Sequence, residues 1–414
     1  MLREIGDGRA GSEPENVMGN RRGHLWYEAQ DKETGVSGLS SRIIFSLVWI
    51  TLSLASPLSA QSADLARVSA RIETEIQTIL EETGIPAISI ALVMDGDIYW
   101  TGAFGYANIG ASVPASTETR FSTGSTFKFV TATALMQLVD EGLLTLDTSL
   151  NEVLGPDLAL EGADDVTFRH VLSHHSGLEG GARNVPLWSR RAPRPFTEVL
   201  ESIERTAPPG EKYEYCNACY GILAWVIEKV SGLTYDEFVA QHVLQPLGLE
   251  ISEASIPTPS AVEHLALPYA LRENRAYPVS QVRFDVYAAG DVYLRAEDMA
   301  RFLAAQLNGG VFRGLRILSE ASVREMQRQQ FDSYPYGLGT RVQITDGRTF
   351  LHHSGSIPGF NSFFVGSPEE EMGVYIMANG DDAMRALGAL SQLSLRLMRG
   401  EDPGPLPSFA VGGE

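Results

Sequence analysis

The chain has 414 residues, of which 44% are hydrophobic and 20% are charged, a composition that excludes a disordered protein and allows an extensive buried core. The formal net charge of -20 gives a surface that repels phosphate backbones, so nucleic acid is not an expected partner. The length fits one large domain or two closely joined lobes.

A hydrophobic segment lies near the amino terminus. Arg42 precedes an apolar run that ends at Ala55, and small residues follow as far as Ala60. This order is typical of a bacterial signal peptide at residues 42–60, which predicts a periplasmic or secreted protein. A retained anchor is the alternative, and membrane contact is expected only in that case. Residues 1–41 are then expected to be a non-native or disordered lead.

The pattern of apolar residues changes along the rest of the chain. Residues 63–84 have helical spacing, and alternating segments on both sides of Asp95-Gly96 predict a hairpin with a tight turn. Amphipathic helical segments joined by loops follow between about Thr117 and Gln330. Strand patterns then return, with a second turn at Asp346-Gly347, before a last amphipathic helix.

Strands at both ends of the chain with helices between them predict an α+β fold. We expect an antiparallel sheet built from both ends and flanked by helices, with an inserted, mostly helical lobe at about 115–330. A single domain is expected over residues 61–400, followed by a flexible tail at 401–414. The cleft between the two lobes is the predicted location of a functional site.

Ser125-Thr126-Phe127-Lys128 forms an S-x-x-K pattern at the start of a predicted helix. Residues three apart lie on the same helix face, so Lys128 can reach the Ser125 hydroxyl. A lysine, unlike an arginine, can become a base when its surroundings lower its pKa, and only four of the 32 basic residues are lysine. Taken alone, the pattern is more simply explained by a solvated lysine.

Tyr215-Cys216-Asn217 lies on a predicted loop just before an apolar helix. A tyrosine in such a loop can relay a proton to a leaving group, and the asparagine amide can contact both a substrate carbonyl and the lysine. A buried tyrosine next to a helix cap is the simpler alternative.

His353-Ser354-Gly355 lies on a predicted strand near the carboxyl end. Gly355 leaves room for a substrate to pair with the strand edge, and the backbone N–H of Ser356 can join that of Ser125 in an oxyanion hole. A turn with an ordinary exposed histidine is the alternative.

In order and in flanking sequence, these three motifs resemble the serine β-lactamase and penicillin-binding-protein group, in particular the branch of class C β-lactamases, D-alanyl-D-alanine peptidases and secreted esterases. The resemblance extends from about Asp64 to Arg399 and includes the segments RHVLSHHSGLEG, QPLGLE, AAGDVYLRAEDMARFL and NGDDA. It implies that Ser125 forms an acyl-enzyme while Lys128 and Tyr215 share the proton transfers. It implies these substrate-binding residues: Asn217, His353, Ser354 and Gly355.

Two positions depart from the family pattern. The third motif of true β-lactamases usually begins with lysine, and His353 is only partly charged near neutral pH, so carboxylate binding should be weaker unless an arginine helps. Cys216 and Cys219 are the only cysteines. They can form a disulfide in an exported protein, but small buried thiols are the favoured interpretation.

His170, His174 and His175 are spaced for a metal site, but Val171 occupies the position where zinc proteases have glutamate. The family resemblance already explains His174, so neither a metal nor a cofactor is expected.

The sequence therefore predicts an exported serine hydrolase that cleaves an ester or amide bond, of the esterase or peptidase type. The expected partners are small ester, amide, D-peptide or β-lactam substrates. The alternatives are a β-lactamase or D-alanyl-D-alanine carboxypeptidase, and a penicillin-binding sensor or binding module that does not turn over.

Overall fold

The computed structural model describes residues 57–186, 194–249, 264–290 and 292–410. The predicted lead and residues 42–56 of the predicted signal peptide lie outside these ranges. The first helix begins at Pro57. Among the described helices, none combines the length and apolar character needed to cross a bilayer.

The fold is α+β, as predicted, and its centre is a seven-stranded antiparallel sheet in the order β14-β15-β16-β17-β1-β2-β3. Its strands are β1 (Ala87–Met94), β2 (Asp97–Asn108), β3 (Val113–Pro114), β14 (Arg341–Thr345), β15 (Arg348–Ile357), β16 (Phe360–Ser367) and β17 (Met372–Ala378). Both ends of the chain therefore supply the sheet, since β17 pairs with β1.

Ten short strands in the described ranges lie outside this sheet and pair in twos. They are β4 (Phe121–Ser122), β5 (Leu178–Glu179), β6 (Asn184–Pro186), β7 (Glu204–Arg205), β8 (Tyr269–Arg272), β9 (Arg275–Pro278), β10 (Val282–Phe284), β11 (Tyr293–Leu294), β12 (Val311–Phe312) and β13 (Leu315–Arg316).

The described α-helices cover both faces of the sheet and build the inserted lobe. They are α1 (Pro57–Thr83), α2 (Lys128–Asp140), α3 (Leu150–Leu154), α4 (Phe168–Leu172), α5 (Phe196–Glu201), α6 (Asn217–Ser231), α7 (Tyr235–Val239), α8 (Ala296–Leu307), α9 (Glu320–Met326) and α10 (Met384–Met398). Single-turn segments complete the lobe: the 3-10 turns Gly124–Phe127, Gln245–Leu247 and Tyr287–Ala289, and the π-helical turn Ala240–Leu244.

Both predicted hairpin turns are confirmed. Asp95 and Gly96 both have positive φ angles, 53° and 71°, and join β1 to β2 with a two-residue loop. Asp346 and Gly347 repeat this geometry between β14 and β15, with φ of 52° and 76°. Aspartate and glycine tolerate the left-handed conformation that such tight turns require, which is why the dipeptide signal was reliable.

The sheet separates two buried apolar layers. On one face, α1 and α10 pack through residues such as Ile72, Ile76, Leu387 and Leu390. On the other face, α2 and α8 pack against the sheet and continue into the helical lobe. The start of α2 therefore lies between the sheet and the lobe, which is the position predicted for the site.

The segment after α10 lies along α1. The Phe409 backbone N–H donates to Glu82 at 2.7 Å, and Arg71 donates to the Gly404 carbonyl at 2.6 Å. These contacts attach the described part of the tail to the first helix, whereas its sequence predicts a flexible segment.

Candidate active site

Ser125 and Lys128 are adjacent because a 3-10 turn, Gly124–Phe127, leads directly into α2. Lys128 Nζ lies 3.0 Å from Ser125 Oγ. The same nitrogen donates to Asn217 Oδ1 at 2.8 Å and to the Ala289 carbonyl oxygen at 2.6 Å. A neutral amine has two N–H donors and one lone pair, so two carbonyl acceptors leave the lone pair for the Ser125 hydroxyl proton.

The surroundings of Lys128 favour its neutral form. Its side chain is fully buried, and burial lowers the pKa of the Lys128 ammonium well below its usual range. The three groups that contact Nζ are a hydroxyl, an amide and a backbone carbonyl, none of which carries a negative charge that would restore the pKa. The lysine is therefore suited to accept a proton.

Tyr215 and Asn217 reach the lysine from the start of α6. Lys128 Nζ lies 5.0 Å from the centre of the Tyr215 ring. The Tyr215 hydroxyl is buried and makes no hydrogen bond of normal geometry to any described residue. Burial raises the pKa of Tyr215, and its proximity to Ser125 offsets only part of this rise. The tyrosine is thus a neutral donor placed near the serine.

Strand β15 passes beside the start of the same helix. A Cβ atom added to Gly355 would lie 2.3 Å from the Thr123 carbonyl oxygen and 3.0 Å from Ser125 N. One added to Gly124 would lie 2.9 Å from Ser356 N. No side chain fits at either glycine, so the backbone segments that carry the N–H groups of Ser125 and Ser356 approach each other closely. This proximity is compatible with the predicted oxyanion hole.

The edge of β15 next to the serine is open. Strand β14 pairs with β15 only from Arg348 to His352, and within the described ranges the following residues pair on the β16 side alone. The Ser354 side chain, by contrast, lines a groove on the α10 side of the sheet with His352 and Phe363. The structure does not bring the Ser354 hydroxyl to Ser125, so only its backbone lies at the open edge.

His353 carries no charge in this structure. Its Nδ1 donates to the Ser354 carbonyl oxygen at 2.8 Å, and Nε2 accepts from the Tyr336 hydroxyl at 2.9 Å, which assigns the tautomer. Burial is the main cause that lowers the pKa of His353 to about 3. The partial charge expected from the sequence is therefore absent near neutral pH, because that expectation assumed a solvated ring.

The two cysteines form a disulfide, so the favoured interpretation as free thiols was wrong. Cys216 precedes the first residue of α6 and Cys219 lies on its first turn, which places their Cα atoms 5.3 Å apart. Both side chains are fully buried, as expected. Helical spacing of three residues thus brings the sulfurs together around Asn217.

Each of the three neighbouring histidines has a structural contact through Nδ1. His170 Nδ1 contacts the Thr167 backbone N–H at the start of α4, and His175 Nδ1 donates to the Ser173 carbonyl. His174 Nδ1 accepts from the Cys216 backbone N–H at 3.1 Å, so this ring belongs to the tyrosine loop.

Arg341, the first residue of β14, was not identified from the sequence. Its guanidinium carbon lies 5.6 Å from the centre of the Tyr334 ring, which stacks on Tyr213 at 4.1 Å. Its buried Nε has no hydrogen-bond partner, and no carboxylate pairs with it in the described part of the chain. Burial raises the pKa of Tyr215 and lowers that of His353, and the charge of Arg341 lowers both.

Comparison with known proteins agrees with this geometry. The family model described as Beta-lactamase matches residues 72–395. The chain belongs to this family. Penicillin-binding protein 4 of Amycolatopsis lactamdurans is 29% identical over 321 residues, which cover 72% of this chain and 82% of that protein. The family comprises hydrolases of the serine acyl-enzyme type as well as penicillin-binding proteins without turnover.

Solved structures show the same fold. The octameric penicillin-binding protein homologue from Pyrococcus abyssi matches with a TM-score of 0.69 and 27% identity, covering 82% of this chain and 79% of that one. D-alanine carboxypeptidase AmpC from Burkholderia cenocepacia matches with a TM-score of 0.68 and 19% identity, covering 81% and 99%, and supports the fold alone.

In this Beta-lactamase family member, Lys128 makes one further contact, to Ala289 in the segment AAGDVYL. The Ala289 carbonyl that accepts from Lys128 precedes Gly290, which has a φ of 142°. A Cβ atom at Gly290 would lie 2.3 Å from the Gly124 carbonyl oxygen. The glycine in AAGDVYL was the available signal, because it marks a close approach of two backbones.

Proposed function

We propose that the protein is an exported serine hydrolase that cleaves an ester or amide bond through an acyl-enzyme on Ser125. The observation that carries this proposal is the buried, uncharged setting of Lys128, whose nitrogen lies 3.0 Å from Ser125 Oγ. A serine hydroxyl attacks only when a neighbouring base takes its proton, and a neutral lysine meets that need.

The mechanism has two halves. Ser125 Oγ attacks the carbonyl carbon while its proton passes to the pair formed by Lys128 and Tyr215. The N–H groups of Ser125 and Ser356 stabilise the oxyanion, and its collapse breaks the bond to the leaving alcohol or amine, which takes the proton through Tyr215. Water then attacks the acyl-enzyme, gives its proton to the same pair, and releases the acid while Ser125 regains its hydrogen.

Ser125→Ala tests the proposal. The purified protein should release nitrophenol from short acyl esters, and intact-mass measurement should detect an acyl adduct on the wild type. The variant should lose both activity and adduct, because no other group in the mechanism forms the ester bond. Equal nitrophenol release by the two proteins would refute the role of Ser125.

Arg341 favours a second candidate, a D-alanyl carboxypeptidase or β-lactamase. Both kinds of substrate carry a carboxylate, which the uncharged His353 cannot bind as an ion pair, whereas Arg341 pairs with no carboxylate in the described part of the chain and its charge acts on both Tyr215 and His353. Peptides ending in D-alanyl-D-alanine and the β-lactam nitrocefin, assayed beside neutral esters, rank these candidates. A lasting penicillin adduct without turnover would identify the non-catalytic alternative.

Export is part of the proposal. It rests on the hydrophobic segment before Ala60 and on the disulfide, since disulfides persist mainly in oxidising compartments. Amino-terminal sequencing of the protein recovered from the periplasm or medium should begin at Gln61. Recovery only from the cytoplasm with an intact amino terminus would contradict it.

A further inference from the structure

His174 lies beneath Tyr215 in an unusual conformation. Its φ is 60°, in the left-handed region that residues other than glycine rarely adopt. Its side chain is fully buried, and its Nε2 has no hydrogen-bond partner among the described residues. A left-handed backbone and an unpaired buried nitrogen are both unfavourable, and such features persist mainly where they serve a function.

Three contacts of His174 converge on Tyr215, the nearest of the four tyrosine rings that surround its imidazole. The Glu214 backbone N–H donates to the His174 carbonyl oxygen at 2.7 Å, and the Cys216 backbone N–H donates to His174 Nδ1 at 3.1 Å. These two donors belong to the residues on either side of Tyr215. The imidazole ring itself stacks on the Tyr215 ring with 4.1 Å between centres and a tilt of 31°.

The left-handed backbone explains how one residue makes all three contacts. A carbonyl oxygen and a side chain ordinarily point away from each other along an extended chain, but here both face the same loop. Because Nδ1 accepts a hydrogen bond, the ring must be neutral with its hydrogen on Nε2. Burial lowers the pKa of His174 well below its usual range and maintains this state.

We propose that His174 is a positioning residue that holds Tyr215 at the reaction centre, through the hydrogen bond between its Nδ1 and the Cys216 N–H. The Tyr215 hydroxyl lies near Ser125 but makes no hydrogen bond of normal geometry to any described residue, so its position depends on the loop that carries it. A displacement of about 1 Å in a catalytic group can reduce a rate ~100-fold. This inference rests on the proposed function, because it assigns His174 a part in the same proton transfer.

His174→Asn and His174→Gly separate this role from simple packing. Both residues tolerate a left-handed backbone, but only asparagine retains an acceptor, and its Oδ1 is as many bonds from Cβ as Nδ1 is. With a short acyl ester, we expect His174→Gly to lower kcat ~100-fold with little change in KM, whereas His174→Asn stays within about five-fold of the wild type. Both are first checked for folding by thermal unfolding.

His175→Ala is the matched control. His175 is equally buried in the same loop, but its ring contacts Tyr213 and Phe331 instead of Tyr215. It should lower stability about as much as His174→Gly while retaining kcat. If His174→Gly does not fold, His174→Leu and His174→Gln are compared instead, because both bear the same cost of a left-handed backbone and only glutamine carries an acceptor.

The outcomes are distinct. Equal loss of kcat in His174→Asn and His174→Gly, or full activity in His174→Gly, would overturn the positioning role. A wild type that hydrolyses no ester, amide or β-lactam would overturn the proposed function itself. If the wild type is active and Ser125→Ala is inactive, the proposed function holds. The His174 variants then test the positioning role alone.

Discussion

The two regions that form the site are held in different ways. Ser125 and Lys128 are brought together by one helical turn, so their contact follows from a spacing of three residues. Tyr215 is held by segments far away in the sequence: His174 lies 42 residues before Cys216, and Lys128 lies 89 residues before Asn217. The helix start should therefore tolerate changes elsewhere in the chain, whereas the tyrosine loop depends on several distant contacts at once.

The largest effect is expected at the helix start, where Lys128→Met removes the base while keeping an unbranched side chain of similar length. Activity should fall by about 10³-fold, within the usual range for a general base, because no other lysine of the described ranges contacts Ser125. Ester hydrolysis measures the loss, and thermal unfolding shows whether the fold survives.

Lys229→Met provides the control for that substitution. Lys229 also donates to a backbone carbonyl, that of Leu154, and lies 4.8 Å from the centre of the Trp225 ring, but it is remote from the serine. Its variant should keep wild-type activity. A Lys128→Met protein with more than about a tenth of wild-type activity would show that Tyr215 alone can act as the base.

Local chemistry explains which features the sequence predicted well. Asp95-Gly96 and Asp346-Gly347 specify their turns through the backbone preferences of two residues. The end of α1 before Gly84 and the Ser125–Lys128 contact likewise depend on neighbours within a few positions. Such features can be predicted without knowing the rest of the fold.

Features that depend on burial or on distant partners were missed. The protonation state of His353 follows from its burial, which a sequence does not state. Arg341 was not distinguishable from other arginines, because its position beside Tyr334 depends on how β14 meets β15. The disulfide was not the favoured interpretation, because its formation depends on Cys216 lying at a helix start.

An intermediate effect is expected when the tyrosine loop loses its disulfide. Replacing both Cys216 and Cys219 with serine should lower the free energy of unfolding by about 2 kcal/mol, the amount expected for so short a closed loop. Activity should fall less than in Lys128→Met, because His174 and the Lys128–Asn217 contact still hold the loop. Urea unfolding and ester hydrolysis measure the two effects.

Reductant supplies the check on that prediction. Treating the wild type with a dithiol should reproduce the stability and activity of the double serine variant, while the variant itself should not respond. If reduction changes neither quantity in the wild type, the disulfide does not support the tyrosine loop, and the remaining contacts are sufficient.

The smallest effect on activity is expected for His353→Gln, because the His353 ring is already uncharged near neutral pH. The pKa of His353 is about 3 in the folded protein, against an ordinary value of 6.5. Between these two pH values the unfolded chain binds one more proton at this ring than the folded protein does. The free energy of unfolding therefore falls as the pH is lowered. We expect His353→Gln, which can still accept from Tyr336, to reduce that slope by up to about 1.4 kcal/mol per pH unit. Urea unfolding from pH 7 to 4.5 measures it, with the exposed His264→Gln as the control. Identical slopes for wild type and His353→Gln would mean that the pKa of the ring is the same in the folded and unfolded states. The ring would then be partly charged near neutral pH, and carboxylate binding would not require Arg341.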